Sequence, residues 1–257
     1  MQREELQQIA KHIDDLFDLG KLDEGQQLLQ KALEAAASDQ AYLCYFKAEA
    51  AGYIDENFNE HSSLLKQASE LSPSDTFLLR GLGTCQLMND KVWQAVRTFD
   101  KLLAMAPDDF DGLRCMGIAH SRLDRDRKAL KFYAAALKNN PEDSDSMRQS
   151  GVSYSKLGED KEAINWYRRA LQINEFDYDA MRQMGISLAM LEDLQGAREW
   201  LLMAQAINPK DYETRLNLAL VNKKLRGEET WMEKMTIRLG RWMNRIWCRL
   251  LDRFGLR

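Results

Sequence analysis

The residue types that most often carry catalytic or metal chemistry are spread thinly along this chain. Its three histidines and four cysteines share no short-range motif, and they stand at His12, Cys44, His61, Cys85, Cys115, His120 and Cys248. No CxxC pair, HExxH helix, glycine-rich phosphate loop or nucleophile elbow occurs, so the spacing indicates neither a tetrahedral metal site nor a catalytic triad. The sequence therefore predicts a protein that is not an enzyme and that needs no cofactor or metal.

Charged and amide side chains, in contrast, recur with a fixed 34-residue step. The recurring residues are the arginines Arg80, Arg114, Arg148 and Arg182, the aspartates Asp111, Asp145 and Asp179, and the amides Gln149, Gln183 and Asn217. Arginine binds carboxylates in a forked geometry, and amides can hydrogen-bond to a peptide main chain. These columns are thus candidate binding residues for an acidic or C-terminal segment of a protein partner.

A simpler interpretation of the arginine column is equally compatible with the spacing. Each aspartate lies three residues before an arginine, which is a distance that brings two side chains together on one helix face. Such a solvent-exposed pair stabilises a helix by only roughly 0.3 kcal/mol. The two interpretations do not exclude each other, because an arginine paired in the free protein can exchange its partner.

The same 34-residue step governs prolines and small residues. Four prolines lie on one arithmetic series, in which Glu175 fills the missing term. Four consecutive segments share glycine at position 8, alanine at position 20, a bulky residue at position 24 and alanine or leucine at position 27. The prolines are Pro73, Pro107, Pro141 and Pro209, and the segments are 76–109, 110–143, 144–177 and 178–211.

Together with Leu or Met at position 4, this pattern resembles the tetratricopeptide repeat (TPR) family. The resemblance implies an all-α solenoid of about six helix-turn-helix repeats with a concave inner face. Glu49 and His61 stand where small residues are expected in the second repeat, which is therefore degenerate. The expected organisation is repeats at about 6–41, 42–75, 76–109, 110–143, 144–177 and 178–211, followed by a capping helix at 212–226.

The resemblance also implies a function, because in this family the concave face holds protein partners. The arginine, aspartate and amide columns fall on positions that line that face, so we expect a non-catalytic interaction scaffold. The segment Gly81–Gln86, continuing to Ala95, is similar to part of the small chaperones of type III secretion translocators. A cytosolic chaperone for a secreted or membrane-associated client is the alternative, and self-association through exposed repeat ends is a further expectation.

The C-terminal segment has a different composition from the rest of the chain. Residues 230–257 carry a net charge of +5, which leaves −9 for the remainder, since the whole chain carries −4. Apolar residues recur every three to four positions, so 230–255 is predicted to be a basic amphipathic helix. It either docks on an anionic membrane or a partner, or packs as a final cap. The docking residues would be Trp231, Arg238, Arg241, Trp242, Arg245, Trp247 and Arg249.

Charge and hydropathy indicate where in the cell the protein is found and whether it binds nucleic acid. The N-terminal residues lack the apolar core of a signal peptide, and no apolar run of about 18 residues is present. The isolated cysteines suit a reducing compartment. We therefore expect a cytoplasmic protein, either free or peripheral on the inner face of a membrane, and no nucleic-acid partner, because the acidic body would repel a polyanion.

Overall fold

The computed structural model describes residues 2–55 and 57–227, and the regular secondary structure in these ranges consists of thirteen α-helices. The predicted all-α class is confirmed for this part of the chain, and the basic helix predicted at 230–255 lies outside it. None of the described helices is long and apolar enough to span a membrane. The helices are α1 (Arg3–Asp18), α2 (Leu22–Ala35), α3 (Gln40–Tyr53), α4 (Phe58–Leu71), α5 (Thr76–Met88), α6 (Val92–Met105), α7 (Phe110–Arg122), α8 (Asp126–Asn139), α9 (Ser144–Lys156), α10 (Asp160–Ile173), α11 (Tyr178–Met190), α12 (Leu194–Ile207) and α13 (Tyr212–Leu225).

Aspartates cap the N-termini of the odd-numbered helices from α3 onwards. In each case the side-chain carboxylate accepts a hydrogen bond from backbone N–H groups of the first turn, which have no partner within the helix. The negative charge also complements the positive end of the helix dipole. These residues are Asp39, Asp75, Asp109, Asp143, Asp177 and Asp211.

Three-residue links join each of these helices from α5 to α11 to the helix that follows. Every such link contains one residue in the left-handed backbone region, namely Asp90, Asp124, Gly158 and Glu192. A reversal this tight needs that conformation, which glycine adopts freely and aspartate tolerates better than most residues. Because the links are so short, the two helices of a pair run antiparallel and pack on each other.

The described chain forms two compact halves, which divide between Cys115 and Met116 within α7. Inside each half, the small and bulky residues of the 34-residue pattern form the contact between paired helices. The residues at positions 20, 24 and 27 have no exposed surface: Ala95, Phe99 and Leu102 in the N-terminal half, and Ala129, Tyr133, Ala136, Ala163, Tyr167, Ala170, Ala197, Leu201 and Ala204 in the C-terminal half.

Glycine at position 8 permits this close approach. A methyl group on Gly83 of α5 would lie 2.6 Å from Cζ of Phe99 on α6, which is closer than two non-bonded carbon atoms can come. A methyl group on Gly185 of α11 would similarly lie 2.7 Å from Cγ of Leu201. The recurring glycine therefore reflects helix-to-helix distance, since a side chain at this position would overlap the buried residue on the next helix.

The segment 42–75 departs from this arrangement, as its sequence predicts. Glu49 and His61 replace the glycine and the alanine of the other segments, and the two side chains face each other, with Nε2 of His61 3.8 Å from Oε1 of Glu49. The imidazole ring lies against Gly52, where a methyl group would be 3.4 Å away. A polar pair thus stands where the other segments have a glycine and an alanine.

Candidate functional site

All four arginines of the predicted binding column lie beside carboxylates of their own chain. In the N-terminal half, Nη2 of Arg80 is 2.6 Å from Oδ2 of Asp109, which is the N-cap of α7, and Nη1 is 3.7 Å from Oδ2 of Asp111. Nη2 of Arg114 is 3.1 Å from Oδ1 of Asp111 on the same helix. Asp111 therefore lies between two arginines of successive odd-numbered helices.

The C-terminal half repeats this geometry. Nη2 of Arg148 lies 2.7 Å from Oδ1 of Asp145, and its Nε lies 3.1 Å from Oδ2 of Asp177, the N-cap of α11. Burial alone would lower the pKa of Arg148, but the hydrogen bond to Asp145 and the charge of Asp177 raise it above its ordinary value. Arg148 is therefore held as a cation between the two carboxylates.

Arg182 makes the largest set of contacts in this column. Its Nη2 lies 2.6 Å from Asp179, and its Nη1 lies 3.4 Å from Asp211 and 2.5 Å from Glu213. Asp211 is the N-cap of α13, and hydrogen bonds from Thr214 hold its pKa below the ordinary range, with a further contribution from Arg182. The arginine thus links the cap of the next odd-numbered helix to its own helix.

The same-helix pairing considered from the sequence is therefore present, but it is only half of the arrangement. Each of Arg80, Arg148 and Arg182 also contacts the aspartate that caps the next odd-numbered helix. The sequence contains this signal as a second aspartate series at the same 34-residue step. We name these residues the cap aspartates (Asp109, Asp177 and Asp211), to distinguish them from the same-helix aspartates (Asp111, Asp145 and Asp179).

The two sets of aspartates differ in their exposure to solvent. The side chains of the cap aspartates are between 11% and 17% exposed, and those of the same-helix aspartates are between 34% and 48% exposed. An ion pair that is open to water contributes about 0.2–1 kcal/mol to stability. Breaking a buried ion pair costs more, because the remaining charge is left buried without a partner. The same-helix carboxylates are therefore the more solvent-exposed partners of the arginines.

The predicted amides form a row in the C-terminal half, which we call the amide row (Gln149, Gln183 and Asn217). They stand at the same register position on α9, α11 and α13, where α11 contacts both of the other helices. Their side chains are half-buried and make no hydrogen bond to any other side chain or backbone group in the described residues. Each amide thus has two donors and one acceptor available to a bound molecule.

Partly exposed apolar side chains lie beside the amide row. Val152 on α9, Ile186 on α11 and Leu220 on α13 each follow an amide by three residues, which places them on the same helix face. The surface therefore combines amide groups that can pair with a main chain and apolar groups that can cover side chains. Such a combination suits an extended peptide.

One convergence of chemically active residues is not apparent from sequence spacing. His61 lies between Glu49 and Cys85, which come from three successive helices of the N-terminal half. No group of three or more His, Cys, Asp or Glu residues in the described ranges is placed to hold a metal ion. The predicted docking residues Trp231, Arg238, Arg241, Trp242, Arg245, Trp247 and Arg249 lie outside the described residues.

Comparisons with known proteins agree with this geometry. Residues 116–178 match the family model described as tetratricopeptide repeat, and no curated protein sequence matches the chain significantly. Several solved structures share the fold at low sequence identity. They include PilF of Pseudomonas aeruginosa (14% identity, 88% of this chain and 99% of that chain, TM-score 0.65), MamA (16%, 67% and 94%, TM-score 0.57), and YrrB, described as a TPR protein with an unusual peptide-binding site (22%, 72% and 95%, TM-score 0.54).

Proposed function

We propose that this chain, which matches the tetratricopeptide repeat model over residues 116–178 and shares the fold of solved tetratricopeptide repeat proteins, is a non-catalytic scaffold that holds an extended peptide segment of a protein partner. The segment lies across the odd-numbered helices of the C-terminal half. The observation that carries this proposal is the amide row, in which three half-buried side chains have no hydrogen-bond partner among the described residues. Support also comes from YrrB, a protein of the same fold that is described as having a peptide-binding site.

The spacing of the helices sets the register of such a peptide. Packed helices lie about 8–10 Å apart, and an extended chain advances about 3.4 Å per residue. Gln149, Gln183 and Asn217 would therefore meet the peptide main chain at about every third residue. Val152, Ile186 and Leu220 would contact peptide side chains between these points.

The arginines would select a peptide with acidic residues. An incoming carboxylate can take the place of Asp145 on Arg148 and of Asp179 on Arg182, because these two aspartates are the exposed partners. The cap aspartates keep their contacts during this exchange, so the helix ends remain capped. Since an exposed pair is replaced by a similar pair, the gain lies in selectivity more than in affinity.

We expect the amide row to contribute most of the affinity for the peptide main chain. The probe is a fluorescein-labelled acidic peptide, which is selected from a random displayed library on the immobilised full chain and measured by fluorescence anisotropy. The triple variant Gln149→Ala, Gln183→Ala and Asn217→Ala is expected to raise Kd by at least about 20-fold, since each lost hydrogen bond costs roughly 1 kcal/mol.

A matched control separates this effect from a general change of surface. Gln172 on α10 and Gln195 on α12 are exposed amides on even-numbered helices, and their replacement by alanine should leave Kd unchanged. Circular dichroism verifies that all variants keep their helices. If the triple variant binds the peptide as well as the control does, the peptide lies elsewhere and the proposal is wrong.

The alternative function is a chaperone for a secreted or membrane-associated client. It is favoured by the segment Gly81–Gln86, which lies in α5. Gly83 also has a packing role in that segment, since it accommodates Phe99. A chaperone is expected to suppress the aggregation of one unstable client in stoichiometric amounts, whereas a scaffold binds a partner that is stable by itself.

We further propose that the C-terminal segment tethers the scaffold to an anionic membrane surface. Its net charge of +5 attracts acidic lipids by about 1 kcal/mol per basic residue near the surface. The full chain should therefore co-sediment with phosphatidylserine-containing vesicles, less so at high salt, and not with phosphatidylcholine vesicles. A chain ending at Gly227 should remain in solution with both.

The same pair of proteins tests the competing roles of this segment. If the full chain binds neither vesicle and the shortened chain melts at a lower temperature, the segment is a cap on the repeats and the tether proposal is wrong. Sedimentation velocity of both proteins also tests self-association, since stacking through repeat ends would give a weight-average mass above that of a monomer at high concentration.

A further inference from the structure

A cavity of about 370 Å³ in the N-terminal half brings a cysteine, a histidine and a glutamate together. Cys85 comes from α5, His61 from α4 and Glu49 from α3. Glu49 and His61 are the two residues that depart from the glycine and alanine of the repeat pattern. The repeat pattern therefore does not account for their side chains.

The three side chains are arranged in a line with the imidazole at its centre. Nδ1 of His61 lies 3.7 Å from Sγ of Cys85, and Nε2 lies 3.8 Å from Oε1 of Glu49. Nδ2 of Asn89 donates a hydrogen bond to the same sulfur at 3.3 Å. An imidazole held by a carboxylate on one side and facing a thiol on the other is the geometry that activates a cysteine as a nucleophile.

The electrostatics of the site agree with this geometry. The contact with the thiol of Cys85 and the nearby carboxylate of Glu49 raise the pKa of His61 to about 9. Burial alone would raise the pKa of Cys85, but the hydrogen bond and the charge of His61 lower it below the ordinary thiol value. Other charged groups also line the cavity, namely Lys11, Asp14, Arg80 and Asp111.

Another cysteine of the same half provides a contrast. The thiol of Cys115 contacts the hydroxyl of Thr84, and burial raises its pKa above the ordinary value. Both side chains are largely shielded from bulk solvent, with Cys85 2% and Cys115 8% exposed. Cys85, however, is one of the residues that line the cavity.

We propose that Cys85 is a nucleophilic thiolate, activated by His61 and Glu49, that is oxidised by hydroperoxides entering this cavity. The thiolate attacks one peroxide oxygen, an S–O bond forms and the O–O bond breaks. Two electrons pass from sulfur to the peroxide, and the leaving oxygen takes the Nδ1 proton of the His61 imidazolium. The products are Cys85 sulfenic acid, water or an alcohol, and a neutral imidazole, so that charge and atoms balance.

The first test uses the unmodified full chain and compares its own cysteines. Reduced protein is treated with hydrogen peroxide at pH 7 in the presence of dimedone, which traps sulfenic acids, and each cysteine peptide is quantified by mass spectrometry over time. Cys85 is expected to be labelled at least about tenfold faster than Cys44 and Cys115, because the reactive species is the thiolate. Equal rates at the three cysteines would overturn the proposal.

The second test addresses the role of His61. His61→Gln should slow the labelling of Cys85 by about tenfold, since the variant loses both the charge that lowers the pKa of the thiol and the proton donor for the leaving oxygen. His12→Gln on the exposed face of α1 should not slow it. A folded His61→Gln variant with an unchanged Cys85 rate would refute the role of the histidine.

A measurement that needs no variant keeps the proposal testable if His61→Gln does not fold. The rate of iodoacetamide alkylation of Cys85 in the native chain should fall less steeply between pH 8 and pH 6.5 than the rate of an ordinary thiol, which loses more than about tenfold. A Cys85 rate that falls as steeply as that of an ordinary thiol would again refute the proposal.

Discussion

Gly83→Ala is expected to lower the free energy of unfolding by about 2 kcal/mol, whereas Gly81→Ala on the same helix should raise it by up to about 1 kcal/mol. Alanine favours a helix over glycine at both positions. A methyl group at Gly83 would meet Cζ and Cε1 of Phe99 at 2.6 and 2.7 Å, and that ring is fully buried. At Gly81 the nearest atom, Cε2 of Tyr45, is 3.5 Å away, which is an ordinary contact.

The two variants act as controls for each other, because both lie on α5 and gain the same helix propensity. Thermal and urea unfolding followed by circular dichroism should shift in opposite directions, and hydrogen exchange should place the loss of protection in α5 and α6. Similar shifts for both variants would mean that Phe99 can move aside at little cost, and the explanation of the glycine column would fail.

Asp14→Asn is expected to stabilise the protein at pH 8 and to have little effect at pH 4. Burial and the charge of Glu49 raise the pKa of Asp14 to about 7 in the folded chain, compared with about 3.9 when unfolded. The folded state therefore binds this proton more tightly, so that its stabilising contribution is complete below about pH 4 and is lost as the pH rises through 7. At pH 8 the ionised carboxylate costs about 1–3 kcal/mol.

Asparagine removes this charge and retains an oxygen that can accept the hydrogen bond from the hydroxyl of Tyr53, now 3.3 Å from Oδ1 of Asp14. The neighbouring Asp15 is exposed, so Asp15→Asn serves as the control. Melting temperatures of the three proteins between pH 4 and pH 8 provide the measurement. An equal gain at both pH values, or the same gain for Asp15→Asn, would show that the pKa of Asp14 is not raised by its surroundings.

Much of the helical architecture follows from short-range rules that are visible in the sequence. Aspartate after each proline or its equivalent marks a helix start, because its carboxylate satisfies free N–H groups of the first turn. Small residues at fixed positions mark helix contacts, since only they permit close approach. The 34-residue period then repeats the same local solution, as Ala95, Ala129, Ala163 and Ala197 illustrate by being fully buried.

The partners of the arginines are a case in which the sequence left two answers open. Helix geometry alone predicts that Arg148 pairs with Asp145, which lies three residues before it. Its second partner, Asp177, caps the next odd-numbered helix. The second contact depends on how closely successive helices pack, which no local rule specifies. The sequence likewise does not tell whether the amides have hydrogen-bond partners within the chain, because any neighbouring element could have bonded to Gln149.

The amino-acid sequence by itself thus determined the helical class, the 34-residue period, the helix caps and the columns of arginines and amides, since each depends on interactions within one or two turns. Only the tertiary structure decided which carboxylates contact the arginines and that His61 lies between Glu49 and Cys85. The arginine contacts join one odd-numbered helix to the next, and the His61 contacts join α3, α4 and α5. The physical reason is that contacts between helices depend on the distance and orientation of packed elements, and the irregular side chains of 42–75 carry no periodic signal for them.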